Sequence, residues 1–176
     1  MRGSGLKGRR STVKCVSISN FIYIRTFNRA LKSRFMIIHQ LSIFLENRSG
    51  RITEVLEALG EENITITALS IADTSEFGIL RMIVNDPEKA RELLKKRLFT
   101  VNLTEVISIR APNEARYYAM VLKILSDLDI SIEYTYAFPL GKKSIIILRC
   151  SNTEEAIKAL RAHEMELIRA SDLYKF

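Results

Sequence analysis

Residues 45–70, LENRSGRITEVLEALGEENITITALS, decide how this chain is read. They spell a strand end, a short turn holding one glycine, an amphipathic helix and a second strand. Ile52, Val55, Leu56 and Leu59 fall at i, i+3, i+4 and i+7, which gives a helix one apolar side. Asn47 or Ser49 is placed to cap that helix. Asn63–Ala72 is rich in Ile and Thr, with Ile64 and Ile66 on one face of a strand and Thr65 and Thr67 on the other. Gly50 stands where turn meets helix, and the exposed backbone N–H groups there suit a small anion.

Outward from this stretch the pattern continues in both directions. Leu41, Ile43 and Leu45 alternate with Ser42 and Phe44, a strand with two different faces. Asp73–Gly78 has turn composition, and Ile79–Val84 is another strand. Asp86 and Pro87 supply an N-cap and a first-turn proline for a helix over Pro87–Arg97, with Ala90, Leu93 and Leu94 inward. Phe99–Leu103 closes a βαββαβ unit. The order then repeats at one ungapped offset of 66. Ile43 falls on Ile109, Asn47 on Asn113, Val55 on Val121, Leu59 on Leu125, Ile64 on Ile130, Glu88 on Glu154 and Leu94 on Leu160. One offset across two helices and three strands is a true internal repeat. The expected class is α+β: two ferredoxin-like units, 36–105 and 106–176, each an antiparallel sheet with helices on one face. Leu80, Met82 and Val84, like Ile146, Leu148 and Cys150, are expected to face the helices. The opposite face carries Phe44, Ile79, Ile83, Ile145 and Ile147, and a sheet apolar on both sides is covered on both sides. The expected cover is a second copy, in a homodimer packed sheet to sheet.

The formal charge of +7 is a local property. Nine of the 27 Lys and Arg lie in residues 1–35, which hold no acid, leaving 18 basic against 20 acidic residues over 36–176. The leader has three readings: a transit peptide, a basic arm, or an extension ahead of a true start at Met36. Residues 36–176 are expected to fold without it. Cys15 and Cys150 form neither a disulfide framework nor a metal pair, which fits a reducing, cytoplasmic setting. No apolar run approaches the roughly 18–20 residues of a membrane span.

Chemistry-bearing constellations are absent. The third strands, ILRMIV and SIIILR, carry no aromatic for base stacking, which argues against nucleic acid. His39 and His163 sit near no nucleophile motif, and the carboxylates lie on solvated helical faces. No cofactor motif is present. Tyr117, Tyr118, Tyr134, Tyr136 and Phe138 cluster in the second repeat, and they read either as core or as a wall of a ligand pocket between the repeats.

The segment ENRSGRITEVLEALGEENITI resembles the opening of an ACT domain. There an acidic residue and a Pro-Gly turn precede a helix and an N-I-x strand; here Ser49 replaces the proline. Asp129-Ile130-Ser131-Ile132 and Tyr134-x-Tyr136-Ala137-Phe138 are similar to the second half of stand-alone ACT pairs. The resemblance covers about residues 36–176 and implies regulation rather than catalysis. It implies an amino acid or similar metabolite bound at the first strand–helix turn, and two units joined edge to edge into one eight-stranded sheet. The alternative is a non-catalytic subunit modulating an amino-acid biosynthesis enzyme. Asn47, Arg48, Ser49, Gly50 and Arg51, with Tyr134 and Tyr136, are the expected ligand contacts. In the second repeat Arg116 stands where the glycine belongs, so the repeats are expected to be unequal.

Overall fold

The computed structural model describes residues 34–73 and 77–175. Of the basic leader, all but Arg34 and Phe35 lies outside them. Strand β1 (Ile37–Glu46) leads through the quoted turn into α1 (Arg51–Glu61), β2 (Ile66–Asp73) and β3 (Phe77–Val84). Then come α2 (Pro87–Lys96), β4 (Thr100–Ala111), α3 (Ala115–Ser126), β5 (Ile132–Leu140) and β6 (Lys143–Cys150). Helix α4 (Thr153–Ala162) and a single helical turn, α5 (Ala170–Leu173), follow.

The repeat is visible in the backbone itself. Asn63 and Asp129 take φ 55° and 56°, and Leu98 and Glu164 take φ 64° and 57°, each pair 66 residues apart. The four longer helices among the described residues end alike. Ile64 N–H returns to Leu59 O at 3.0 Å, Ile130 to Leu125 at 3.0 Å, Phe99 to Leu94 at 3.0 Å and Met165 to Leu160 at 2.9 Å. These are left-handed terminations that satisfy carbonyls the helix leaves open. The second helix of each unit starts alike too: Asp86 accepts from Lys89 N, and Asn152 from Glu155 N.

The strands form one antiparallel sheet in the order β2-β3-β1-β4-β6-β5. Six strands stand where eight were expected, for two reasons. The fourth strand of the first unit and the first strand of the second are one strand. Thr100–Ile107 of β4 pairs with β1, and Ile107–Ala111 with β6. The last strand of the second unit shrinks to a bridge between Leu167 and Ile109, flanked by Arg110 N to Glu166 O and Ile168 N to Ser108 O. The expected unit boundary at 105/106 falls inside β4.

The helices share one face. Leu41, Ile43, Leu80, Met82 and Val101 pack with Val55, Leu59 and Leu94, and Ile107, Ile109, Ile146 and Leu148 with Val121, Leu125 and Leu160. Val101, Ile107 and Ile109 alternate along one strand, so both cores lie on the same side. On the far face Ile83, Ile145 and Ile147 are fully buried, in one cluster with Ile168 and Leu173 of the chain's own C-terminal segment. This corrects the expectation that a second copy covers them; Phe44, at 45% exposed, remains open.

That far face carries a polar network. Gln40, fully buried on β1, donates from Nε2 to Tyr134 Oη at 2.9 Å and to Ser42 Oγ at 3.2 Å. Tyr136 Oη donates to Gln40 Oε1 at 2.9 Å, and Arg81 of β3 lies 4.0 Å over the Tyr134 ring. On a flat sheet β5 and β1 would stand three spacings, about 14 Å, apart, so the two tyrosines reach back across β6 and β4 to meet Gln40. Burial pushes the Tyr136 phenol above its ordinary pKa, which keeps it the donor Gln40 needs.

Candidate ligand-binding turn

The turn after β1 is open by construction. Gly50 is the N-cap of α1, with φ 90° and ψ −20°, a left-handed conformation that a β-branched residue resists. No side chain caps the helix, so neither Asn47 nor Ser49 does what the sequence suggested. Arg48 N–H turns back to Glu46 O at 2.8 Å and Glu54 N–H closes on Gly50 O at 3.0 Å. Between them the N–H groups of Ile52 and Thr53 find no acceptor among the described residues. They carry the positive end of the helix dipole into solvent. A Cβ on Gly50 would meet nothing within 4 Å, so the space over the backbone is free.

Beside this helix start lies a groove of about 260 Å³. Asn47, Arg48 and Glu46 form its polar side, and Leu45, Ile52, Ile71 and Leu80 its apolar side, with Gly78 at the β3 edge. Arg48 pairs with Glu46 at 3.1 Å. Arg51 pairs with Glu54 and stacks 4.7 Å over Phe99, leaving its Nε buried without a partner. Of the expected contacts, Asn47 and Arg48 line the groove, while Ser49, Gly50 and Arg51 follow on the same turn outside its lining. Tyr134 and Tyr136 lie elsewhere. They meet Gln40, seven residues or about 23 Å back along β1, on the far face. Tyr117 and Tyr118 pack against the helix-side core and Phe138 against the far-face core, so the aromatic cluster splits between the two faces.

Sequence reasoning missed Glu46, Ile71 and Gly78. The signal for Gly78 was the offset of 66, which sets it against Ser144. In the second repeat the Ser144 hydroxyl holds Asn113 in a short hydrogen bond, and Tyr118 replaces Ile52. Helix α3 begins at Ala115 after Glu114 in an extended conformation, φ −123°, so Arg116 is already helical and no glycine is needed. Among the described residues no group of three His, Cys, Asp or Glu converges as metal ligands do, and no helix is long and apolar enough to cross a membrane.

Two βαββαβ units fused through a shared strand, helices on one face and an open first turn, define a paired small-domain α+β fold. The chain belongs to the ACT domain pair family, whose model matches residues 36–176. It is similar to protein BT0572 from Bacteroides thetaiotaomicron, at 48% identity and TM-score 0.76, over 80% of this chain and 98% of that one. It also resembles the ligand-free regulatory subunit of aspartate kinase from Thermus thermophilus, at 17% identity and TM-score 0.56, covering 73% and 94%. The corresponding subunit from Thermus flavus matches at 19% identity and TM-score 0.50, covering 71% and 92%. No curated protein matches the chain.

Proposed function

We propose that this protein is a non-catalytic regulator that binds an amino acid or related small metabolite at the β1–α1 turn of its first repeat. One observation carries the reading: an uncapped helix start, opened by a left-handed glycine, faces a groove with polar groups on one side and apolar groups on the other. The ligand carboxylate lies against the N–H groups of Ile52 and Thr53 and the Asn47 amide, with Arg48, Ser49 and Arg51 supplying positive charge and a hydroxyl nearby. Its ammonium takes Glu46, and its side chain packs on Ile71 and Leu80. The protein works in the cytoplasm, in keeping with the unpaired buried Cys150.

A thermal-shift screen with the twenty amino acids tests this. Ligand at 100-fold its dissociation constant adds about 2.7 kcal/mol of stability. If none of the twenty shifts the melting temperature, the amino-acid reading fails.

A second observation favours an assembled form. The edge strand β2 exposes Leu69 and Ile71, at 43% and 48%. An edge with exposed apolar residues invites pairing with another chain. We therefore read the protein as a homodimer through this edge, with the groove at its margin, or as a subunit that presents the edge to a biosynthetic enzyme. The two Thermus proteins, regulatory subunits of aspartate kinase, support the second form. Sedimentation of Ile71→Lys separates the two. A monomer from a dimeric wild type supports self-association, and a wild type already monomeric at micromolar concentration leaves the enzyme partner.

A further inference from the structure

The helical layer is charged over the first repeat and apolar over the second at matching positions. At the offset of 66, Glu54 and Glu62 correspond to Met120 and Leu128. In the first repeat these positions are ion-paired, Glu54 with Arg51 and Glu62 with Lys89. In the second, Met120 and Leu128 stand 43% and 51% exposed. With Ile124 and Met165 they wall a groove of about 410 Å³ between α3 and the chain leaving α4. The fold does not require apolar side chains there, because the first repeat does without them. Lys123 and Asp127, one helical turn apart on α3 and joined at 2.9 Å, stand at the groove's mouth. The Tyr117 hydroxyl donates to Met165 Sδ at 3.3 Å and fixes one wall.

We propose that this groove is a second binding site, for an α-amino acid with a large apolar side chain. Its volume lies in the range of small-molecule sites. Two methionines line it, and their unbranched, polarizable side chains fit ligands of irregular shape. The charge pattern selects the ligand class. A zwitterion opens the Lys123–Asp127 pair, its carboxylate taking the Lys123 ammonium and its ammonium taking the Asp127 carboxylate. One solvent-exposed ion pair, which holds little by itself, becomes two. The site is separate from the turn at Gly50 and does not depend on it.

The test is a titration of methyl-labelled full-length protein with L-phenylalanine, and with glycine as the zwitterion lacking an apolar side chain. L-phenylalanine should give saturable shifts in the Met120, Leu128 and Met165 methyl signals, and glycine should not. Both side chains are exposed, so Met120→Glu with Leu128→Glu keeps the fold; its affinity at these signals should fall at least tenfold. Gly78→Ser, which narrows the first groove, should leave the three signals' response unchanged. Failure of the turn to bind is therefore distinguishable from failure of this site. The proposal is overturned by an absence of saturable methyl shifts, by shifts that survive in the double variant, or by shifts that track protein concentration without ligand. The last result would mean that a second copy fills the groove.

Discussion

Asn47 and Asn113 occupy the same place in the two repeats, but only Asn113 is held. The Ser144 hydroxyl ties it down, and α3 starts early, at Ala115, after an extended Glu114. At Asn47 the facing residue is Gly78, the helix is entered through a left-handed glycine, and two N–H groups are left without acceptors. The helix terminations, by contrast, agree between the units, with φ values within a few degrees. The turn after the first strand is thus one of the places where the repeats part. A folded unit does not need an open turn there, since the second repeat closes it with ordinary residues. The opening in the first repeat is therefore not required by the fold.

The largest expected effect bears directly on that corner. Gly50→Val places a β-branched side chain at φ 90° and over the free N–H groups. It should weaken ligand binding about 100-fold, equivalent to about 2.7 kcal/mol. Arg116→Ala at the matching position should change affinity less than about twofold. Calorimetric titration of both variants measures this, and equal losses would remove the distinction between the turns.

Next in size is a difference inside the two cores. Cys150 corresponds to Val84, and both are buried under the helices. Burial pushes the Cys150 thiol from its ordinary 9.0 up to about 11. The native state therefore keeps the proton longer than the unfolded chain does, and stability falls as pH rises from 9 through 11. By pH 11 the loss is about 2 kcal/mol. Cys150→Val, which makes the cores match, should be nearly neutral at pH 7 and should flatten this part of the profile. Denaturant midpoints from pH 7 to 11 give the comparison, and an unchanged alkaline slope would assign the loss to other groups.

A milder change imposes the second turn's closure on the first. A Cβ at Gly78 meets only Ala72 O, at 3.9 Å, so Gly78→Ser is accommodated without strain. The new hydroxyl is placed to hold Asn47 as Ser144 holds Asn113. Affinity should fall about tenfold, roughly 1.4 kcal/mol, with the melting temperature level or slightly raised. Full affinity in this variant would show that Gly78 is not part of the binding corner.

Much of this was legible before any coordinates. The offset of 66 carries straight into the structure because helix caps, inward positions and left-handed residues all sit at fixed distances along each unit. Gly50 was readable because a helix entered through positive φ favours the one residue without a Cβ. The fusion of strands in β4 was not read. Periodicity marks apolar positions and does not say whether two adjacent runs are one strand. The missing turn residues between Val101 and Ala111 were the available signal. The role of Tyr134 and Tyr136 was out of reach, because residue pattern does not give strand order, and these side chains meet Gln40 across two intervening strands. The capping of α1 was misjudged because Asn47 and Ser49 suit the role by type, while the left-handed Gly50 itself takes the cap position.

The smallest expected effect tests the part of the comparison where the repeats agree. Leu98 and Glu164 both end a helix in the left-handed conformation, and both are exposed, Leu98 at 91%. An L-residue with a Cβ costs about 1–2 kcal/mol in that conformation, whereas glycine pays nothing there but loses about 0.5–1 kcal/mol of chain entropy on folding. Leu98→Gly and Glu164→Gly should therefore each stabilise by about 0.5 kcal/mol, a rise of about 1–2 °C in melting temperature for a chain of this length. Asn63 and Asp129 hold the same conformation with side chains that tolerate it, so glycine there should gain less. Equal gains at 98 and 164 mean that the two terminations are energetically as well as geometrically the same. A loss at Leu98 alone would mean that its exposed side chain has a contact outside the described residues, and the symmetry of the helix ends would then be one of shape only.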